Sequence, residues 1–193
     1  MRNNILLCGV GGQGTVLASR LISSAAMARN IPVLSAETIG MAQRGGSVFS
    51  HLRMGEGLYS PMIALGEADL IIGFEPGEAV RMLPYLRPEG QMIVSARPVM
   101  PVTAALSGES YQAQVMLDYL SAHVKNLRIV DAEKALRDVG SPRVLNLVLL
   151  GAALFAGALG LSETDLREAI TRRVKPQFHE LNFRALAWAA ENP

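Results

Sequence analysis

Glycines stand at positions 9, 11, 12 and 14 in the stretch GVGGQG (9–14), and Arg44 stands directly before Gly45 and Gly46 in GMAQRGGS (40–47). The first stretch follows the apolar run NILLC (4–8) and precedes the helical-looking TVLASRLISSAAMAR (15–29). A strand ending there and a helix starting near Gly14 would set unpaired backbone amides at a helix N-terminus. Missing intrahelical acceptors and the helix dipole together favour an anion at such a place. An arginine beside bare backbone adds a fork of donors that can clamp a carboxylate or phosphate, an option lysine cannot copy. The chemistry in view is the holding of an anionic group.

Each loop also has a plainer reading. Gly9, Gly11 and Gly14 fit G-x-G-x-x-G, and Glu37 closes the second apolar run where a ribose-binding acid would lie, which suggests a dinucleotide. Against it, the extra Gly12 and the polar Gln13 are unusual for that fingerprint, and Thr15 after Gly14 leaves no Walker lysine. Tight packing of helix on strand selects small residues as well. Arg44, for its part, could pair with Glu37 and merely order its own loop.

The other reactive side chains form no constellation. His51, His123 and His179 are far apart and show no zinc-type spacing, and His51 reads best as a structural histidine. Ser50 lacks a nucleophile elbow of G-x-S-x-G form. Glu75, in GFEPGEA (73–79), reads as the cap of a following helix or as a subunit contact, with a ligand at the sheet edge the alternative. Cys8, inside the first apolar run, reads as a small buried hydrophobe. One cysteine cannot bridge within the chain or hold an iron–sulfur cluster, so electron transfer would need another polypeptide. The nine methionines read as adaptable packing at core and interface positions.

The elements that must position these residues alternate short β-type runs with helical periods, the pattern of a largely parallel sheet flanked by helices. Strands are expected at 4–9, 32–37, 47–54, 69–74, 91–96 and 127–131, and helices at 14–29, 76–86, 111–123, 132–138, 144–159, 163–174 and 177–190. Ser162 is expected to cap a helix with Asp165 as the weaker form of a capping box. The stretch 97–110, with two prolines and no periodicity, reads as a connection. The fold class is α/β, a Rossmann-like mostly parallel sheet in one domain, 1–193, on which C-terminal helices from 144–193 pack.

Composition removes several classes of function. Half the residues are apolar and 18% are charged, against roughly a quarter in an ordinary soluble domain, which points to buried subunit contacts. The net charge is +1 with scattered basic residues, so nucleic acid is not an expected partner. The N-terminus is too glycine-rich for a secretory signal, and a cytoplasmic location is the default. The segment VLNLVLLGAALFAGALGL (144–161), polar only at Asn146, approaches the length of a membrane span. The asparagine, the small residues around Phe155 and the charged SETDLRE that follows favour a helix buried in protein, apolar all round because it is packed on several sides.

GVGGQG, followed by E-x-x-G-M-A-Q-R-G-G-S-V-x-S-H from Glu37 and by YSP (59–61), resembles the gamma-type subunits of 2-oxoacid:ferredoxin oxidoreductases, their indolepyruvate branch most of all. The resemblance extends to GEADLIIGFEPGEAVRMLPYL (66–86) and VLNLVLLGA (144–152), and its most specific part is 40–47. It matches Gly9 and Gly40 and carries over as binding or interface residues Gly11, Gly12, Gln13, Gly14, Glu37, Gln43, Arg44, Gly45 and Gly46, with no catalytic residue and no metal ligand. It implies a chain within an assembly that oxidises a 2-oxoacid with coenzyme A as co-substrate, releases carbon dioxide and passes electrons to ferredoxin. Thiamine diphosphate, magnesium and iron–sulfur clusters would sit on partner subunits, in keeping with the lack of a GDG…N diphosphate motif. The isolated chain would be inactive and could pair with itself as a homodimer through its partner-facing surface. A free-standing NAD-binding enzyme and a purely structural assembly subunit are the competing expectations.

Overall fold

The computed structural model describes residues 2–38, 45–100 and 111–192. Six strands form one sheet: β1 (Asn3–Val10), β2 (Val33–Glu37), β3 (Ser47–Met54), β4 (Ala68–Gly73), β5 (Leu86–Ser95) and β6 (Asn126–Val130). The helices are α1 (Thr15–Ala28), α2 (Pro76–Met82), α3 (Ala113–His123), α4 (Ala132–Val139), α5 (Leu145–Phe155), α6 (Glu163–Arg173) and α7 (His179–Glu191). Every expected strand and helix within the described residues is present.

The sheet order is β2-β3-β1-β4-β5-β6. β4, β5 and β6 extend from β1 in parallel, whereas β3 runs antiparallel to both β1 and β2. The sheet is therefore mixed on one side of β1, a feature the strand pattern alone did not specify. Three element boundaries also move, and one is the expected 144–159 helix, which ends at Phe155. Pro84 sits in a 3₁₀ turn, Leu83–Tyr85, that ends the expected 76–86 helix at Met82. β5 begins at Leu86 rather than 91, paired with Ala68 across a register shift that closes at Leu70 and Gln91.

Strand pleating sends alternate side chains to opposite faces. Ile5, Leu7, Leu70, Ile72 and Ile93 enter a core shared with α1, α4, α5, α6 and α7. Leu6, Cys8, Ile71, Met92 and Val94 enter a second core with α2 and α3. Helices after β1 and β4 thus lie on opposite faces, and the carboxyl ends of these two neighbouring strands bound a crevice of the kind where α/β sheets bind ligands.

The apolar segment at 144–161 becomes α5, eleven residues of which the first ten are buried. No helix of the described residues is long and apolar enough to cross a membrane. Leu147, Val148, Leu149 and Leu150 are each 0–1% exposed, and such burial is worth about 1.5–3 kcal/mol per side chain. Gly151 lets α7 approach so closely that a Cβ there would lie 2.0 Å from the carbonyl oxygen of Leu186. Trp188 Nε1 donates to Asp138 Oδ2 at 2.9 Å, tying α7 to α4. Ser162 and Asp165 form the expected capping box of α6, with Ser162 Oγ accepting the Asp165 amide at 3.2 Å and Asp165 Oδ2 accepting the Ser162 amide at 2.8 Å.

Candidate functional site

β1 ends at Val10 and α1 begins at Thr15, so the turn 11–14 lies at the mouth of the crevice. Gly12 and Gly14 have φ of 103° and 87°, conformations that a side chain strains. Gly14 is the N-cap of α1 and brings no side-chain cap. Helix bonding begins with Ala18 N to Gly14 O at 3.0 Å. The amides of Gly12, Gly14, Thr15 and Val16 make no hydrogen bond among the described residues. Gly12 is exposed, and Gly11, Gln13 and Gly14 are half-buried, so no side chains seal the turn.

The two loops singled out by sequence meet here. Gly11 donates its amide to the carbonyl of Gly46 at 2.8 Å. Gly45 beside it has φ of 86°. Gln43 and Arg44 lie outside the described residues.

Gln13 and Glu37 occupy places that sequence did not specify. Gln13 Oε1 accepts the amide of Val10 at 2.7 Å and its Nε2 donates to the carbonyl of Phe74 at 2.9 Å. Its carboxamide thereby fastens the turn to the end of β4. Glu37 ends β2, and antiparallel β3 stands between β2 and β1. β2 thus stands two strand spacings, about 10 Å, from β1, whereas the strand that carries a ribose-binding acid in a dinucleotide fold lies directly beside it. Glu37 instead lines a cleft with Arg20 and Arg173 beside α1.

The β4 wall of the crevice is acidic and internally bonded. Glu75 caps α2, its Oε2 accepting the Glu78 amide at 3.0 Å, and Tyr111 donates its phenol to Oε1. Tyr111 also accepts the Gly77 amide at 3.0 Å. Burial pushes the Glu75 carboxyl above the ordinary range, and the hydrogen bonds from Tyr111 and from backbone amides only partly oppose it. Ser47, the first residue of β3, donates to Glu78 Oε2 at 2.5 Å. Cys8 lies buried in the same region, its thiol pushed far up, by burial first and then by Glu78 and Glu75. His51 is buried, its Nδ1 accepts the Ile63 amide at 3.1 Å, and burial lowers its pKa. It is a neutral structural histidine.

Among the described residues no group of three or more His, Cys, Asp or Glu could hold a metal ion. A cleft of about 270 Å³ at the opposite, amino edge is lined by Arg2, Asp69 and Arg87. Its charges are already satisfied, Arg87 by Asp69 at 2.8 Å and Arg2 by the carbonyls of Glu56 and Gly57. The amides at the start of α1, by contrast, have no hydrogen-bond partner among the described residues.

Sequence reasoning missed Tyr111, Ser47, Glu78 and Asn146. Asn146 lies against Gly14, where a Cβ would meet its Nδ2 at 3.1 Å. The one signal for it was a polar residue alone in an apolar run.

This architecture, a mixed α/β sheet with a glycine turn at its switch point and helices over both faces, is that of the gamma subunits of keto-acid ferredoxin oxidoreductases. The keto/oxoacid ferredoxin oxidoreductase gamma subunit of Geobacter sulfurreducens superposes with a TM-score of 0.71 at 22% identity, over 99% of this chain and 95% of its own. The sequence profile of the pyruvate ferredoxin/flavodoxin oxidoreductase family matches residues 4–191, and the chain belongs to that family as an oxidoreductase subunit. Similar relatives include the indolepyruvate oxidoreductase subunit IorB of Thermococcus kodakarensis, 36% identical over 187 residues that cover 94% of this chain and 91% of the relative. Another is the pyruvate/ketoisovalerate oxidoreductases common subunit gamma of Pyrococcus furiosus, 30% identical over 95% of this chain and 92% of that one.

Proposed function

We propose that the chain is the small subunit of a cytoplasmic indolepyruvate-type 2-oxoacid:ferredoxin oxidoreductase. In it, residues 1–193 act as one domain that supplies an anion-holding edge and the subunit interface. Thiamine diphosphate, magnesium and iron–sulfur clusters belong to the partner subunits, and ferredoxin is reached through the assembly. The thiamine and cluster groups supply the decarboxylation and electron-transfer chemistry, while this chain's loops position and neutralise a reactant. Coenzyme A is the co-substrate whose phosphates, or alternatively the oxoacid carboxylate, rest on the amides of Gly12 and Gly14 with Arg44, Gln43, Gly45 and Gly46 alongside. Gly11 and Gln13 hold the turn in shape, and Glu37 belongs to the rim.

The observation that carries this reading is the bond from Gly11 to Gly46, which ties the two glycine loops together beside four amides that have no hydrogen-bond partner among the described residues. The aryl substrate is favoured by the likeness to indolepyruvate relatives over nearly the full chain. In the assembly reconstituted with its thiamine-bearing partner, Arg44→Lys is expected to raise the KM for coenzyme A or for the oxoacid about tenfold, the loss of one bidentate contact. Unchanged KM values for both would remove Arg44 from the site.

A further inference from the structure

We propose that the outer edge of β2 is a docking edge for an extended acidic segment of a partner subunit, which adds to the sheet as a further strand and sets its carboxylates against Arg20 and Arg173. The inference rests on the subunit role proposed above and is independent of the anion-holding turn.

β2 ends the sheet on its side and pairs only with β3. In an antiparallel pair, successive residues turn their backbone groups alternately toward the neighbouring strand and away from it. The Pro32 carbonyl accepts the amide of Gly55 at 2.9 Å, and the Thr38 amide donates to the carbonyl of Phe49 at 3.0 Å, so the bonds to β3 fall on the even-numbered residues. Val33, Ser35 and Glu37 therefore direct their N–H and C=O groups outward, where these groups have no hydrogen-bond partner among the described residues. Edge strands that must stay unpaired are commonly blunted by proline, lysine or a bulge. The register of β2 on β3 runs without a shift, and VLSAE (33–37) contains neither proline nor lysine. The edge is open to pairing.

The flank of this edge supplies the charge. Ser35 and Glu37, on one face of β2, line a cleft of about 530 Å³ with Arg20 and Met27 of α1 and Arg173 at the end of α6. Neither of these guanidiniums has a hydrogen-bond or ion-pair partner among the described residues, whereas Arg29 and Arg172 nearby in sequence bind Asp165 and Glu168. Two positive charges thus stand against the single carboxylate of Glu37. Alternate side chains of an added strand fall on this face, so acidic residues two apart are the ones that meet the arginines. Met27, 52% exposed, adds an apolar contact in the same cleft. A second copy of this chain would bring the same surplus of positive charge to the edge, and like charges set opposite one another are unfavourable. An acidic segment of a different subunit is the occupant that the charges favour.

The test compares amide hydrogen exchange, read residue by residue, in the purified chain and in the assembly reconstituted with its thiamine-bearing partner. The amides of Val33, Ser35 and Glu37 are expected to exchange freely in the chain alone and to slow about tenfold or more in the assembly, while those of Leu34 and Ala36, already bonded to β3, change little. Ser35→Pro removes one outward donor and spares every bond to β3, a place where edge strands accept proline. It should weaken the association about tenfold with the melting temperature unchanged. Arg20→Glu combined with Arg173→Glu should weaken it by a similar factor of about ten, and the difference should shrink as salt is raised. If the proline variant does not fold, the exchange pattern and the charge reversal carry the test. Association that leaves exchange at Val33, Ser35 and Glu37 unchanged would overturn the docking edge alone. Slowed exchange with full affinity in the charge-reversed chain would overturn the acidic partner. Slow exchange at these residues in the isolated chain, with a dimer mass by light scattering, would give the edge to a second copy and overturn the proposal as well. Failure of the unsubstituted chain to associate with the thiamine-bearing partner would overturn the subunit role itself, and this inference with it.

Discussion

Tyr111 gives its phenol hydrogen to Glu75, while its oxygen takes the amide hydrogen of Gly77 at 3.0 Å. One side chain thereby closes the first turn of α2 over a buried carboxyl at the carboxyl end of β4. Burial is the main reason that Glu75 holds its proton above the ordinary carboxylate range. The folded chain therefore binds that proton more tightly than the unfolded chain. Stability from this group is greatest below the ordinary glutamate pKa and falls as pH rises through the raised one. Glu75→Gln keeps an acceptor for Tyr111 and Glu78 and cannot ionise. Denaturation in urea across this pH range should show the decline in the native chain and a flatter profile, with higher stability at neutral pH, in the variant. Parallel profiles for the two would refute the argument.

Gln13 offers a second prediction, because its carboxamide bridges Val10 and Phe74 rather than facing solvent. Gln13→Ala removes both bonds and leaves an amide and a carbonyl without their partner. The expected loss is about 2 kcal/mol in chemical denaturation. Gln13→Glu should recover part of it, since a carboxylate still accepts from Val10 but cannot donate to Phe74. A variant as stable as the native chain would mean that the turn keeps its shape without the clamp.

The same residues show what could be read from sequence and what could not. Strand positions were legible as short apolar β-type runs such as NILLC, and helix positions as apolar residues recurring about once a turn, as Leu17, Leu21, Ile22 and Ala25 do. The antiparallel course of β3 had a readable sign that periodicity does not carry: only residues 38–46 separate β2 from β3, too few for a parallel crossover with its helix. The early start of β5 had none, because Arg87, Pro88, Glu89 and Gly90 show no alternation. In the site, GVGGQG announced a turn with bare amides, and composition located Asn146 as an oddity. That Asn146 lies against Gly14 depends on α5 crossing beneath a loop more than a hundred residues earlier, a tertiary fact that no local pattern encodes. Gln13 reads as a polar loop residue, yet its partner at Phe74 belongs to a strand that comes alongside only when the sheet forms.

Cys8 provides a test of how well the β1 end is closed. Burial, followed by the charges of Glu78 and Glu75, holds the thiol protonated far above its usual range, and the thiolate is the reactive form. Iodoacetamide at pH 8 should leave the native chain unmodified and alkylate it fully in urea. Rapid labelling of the native chain would show that β1 opens at the crevice far more readily than its packing implies.

The approach of α7 to α5 at Gly151 yields a prediction about stability. α5 carries almost no polar surface, so its place is set by shape rather than by hydrogen bonds, and α7 meets it where Gly151 faces the backbone of Leu186. A methyl group at 151 would stand 2.0 Å from the Leu186 carbonyl oxygen, and that oxygen belongs to backbone and cannot swing aside as a flexible side chain would. Gly151→Ala must therefore push α7 outward and loosen Leu186, Ala185 and Ala189, all buried in the same core. Alanine favours helix by about 1 kcal/mol over glycine, but overpacking of this kind costs about 1–3 kcal/mol or more, so the net change should be a loss. Calorimetry should show a lower melting temperature, and tryptophan emission should shift to longer wavelength as Trp188, 8% exposed in α7, gains solvent. A variant that melts higher than the native chain, with unshifted emission, would mean that the two helices have room that their backbone positions deny.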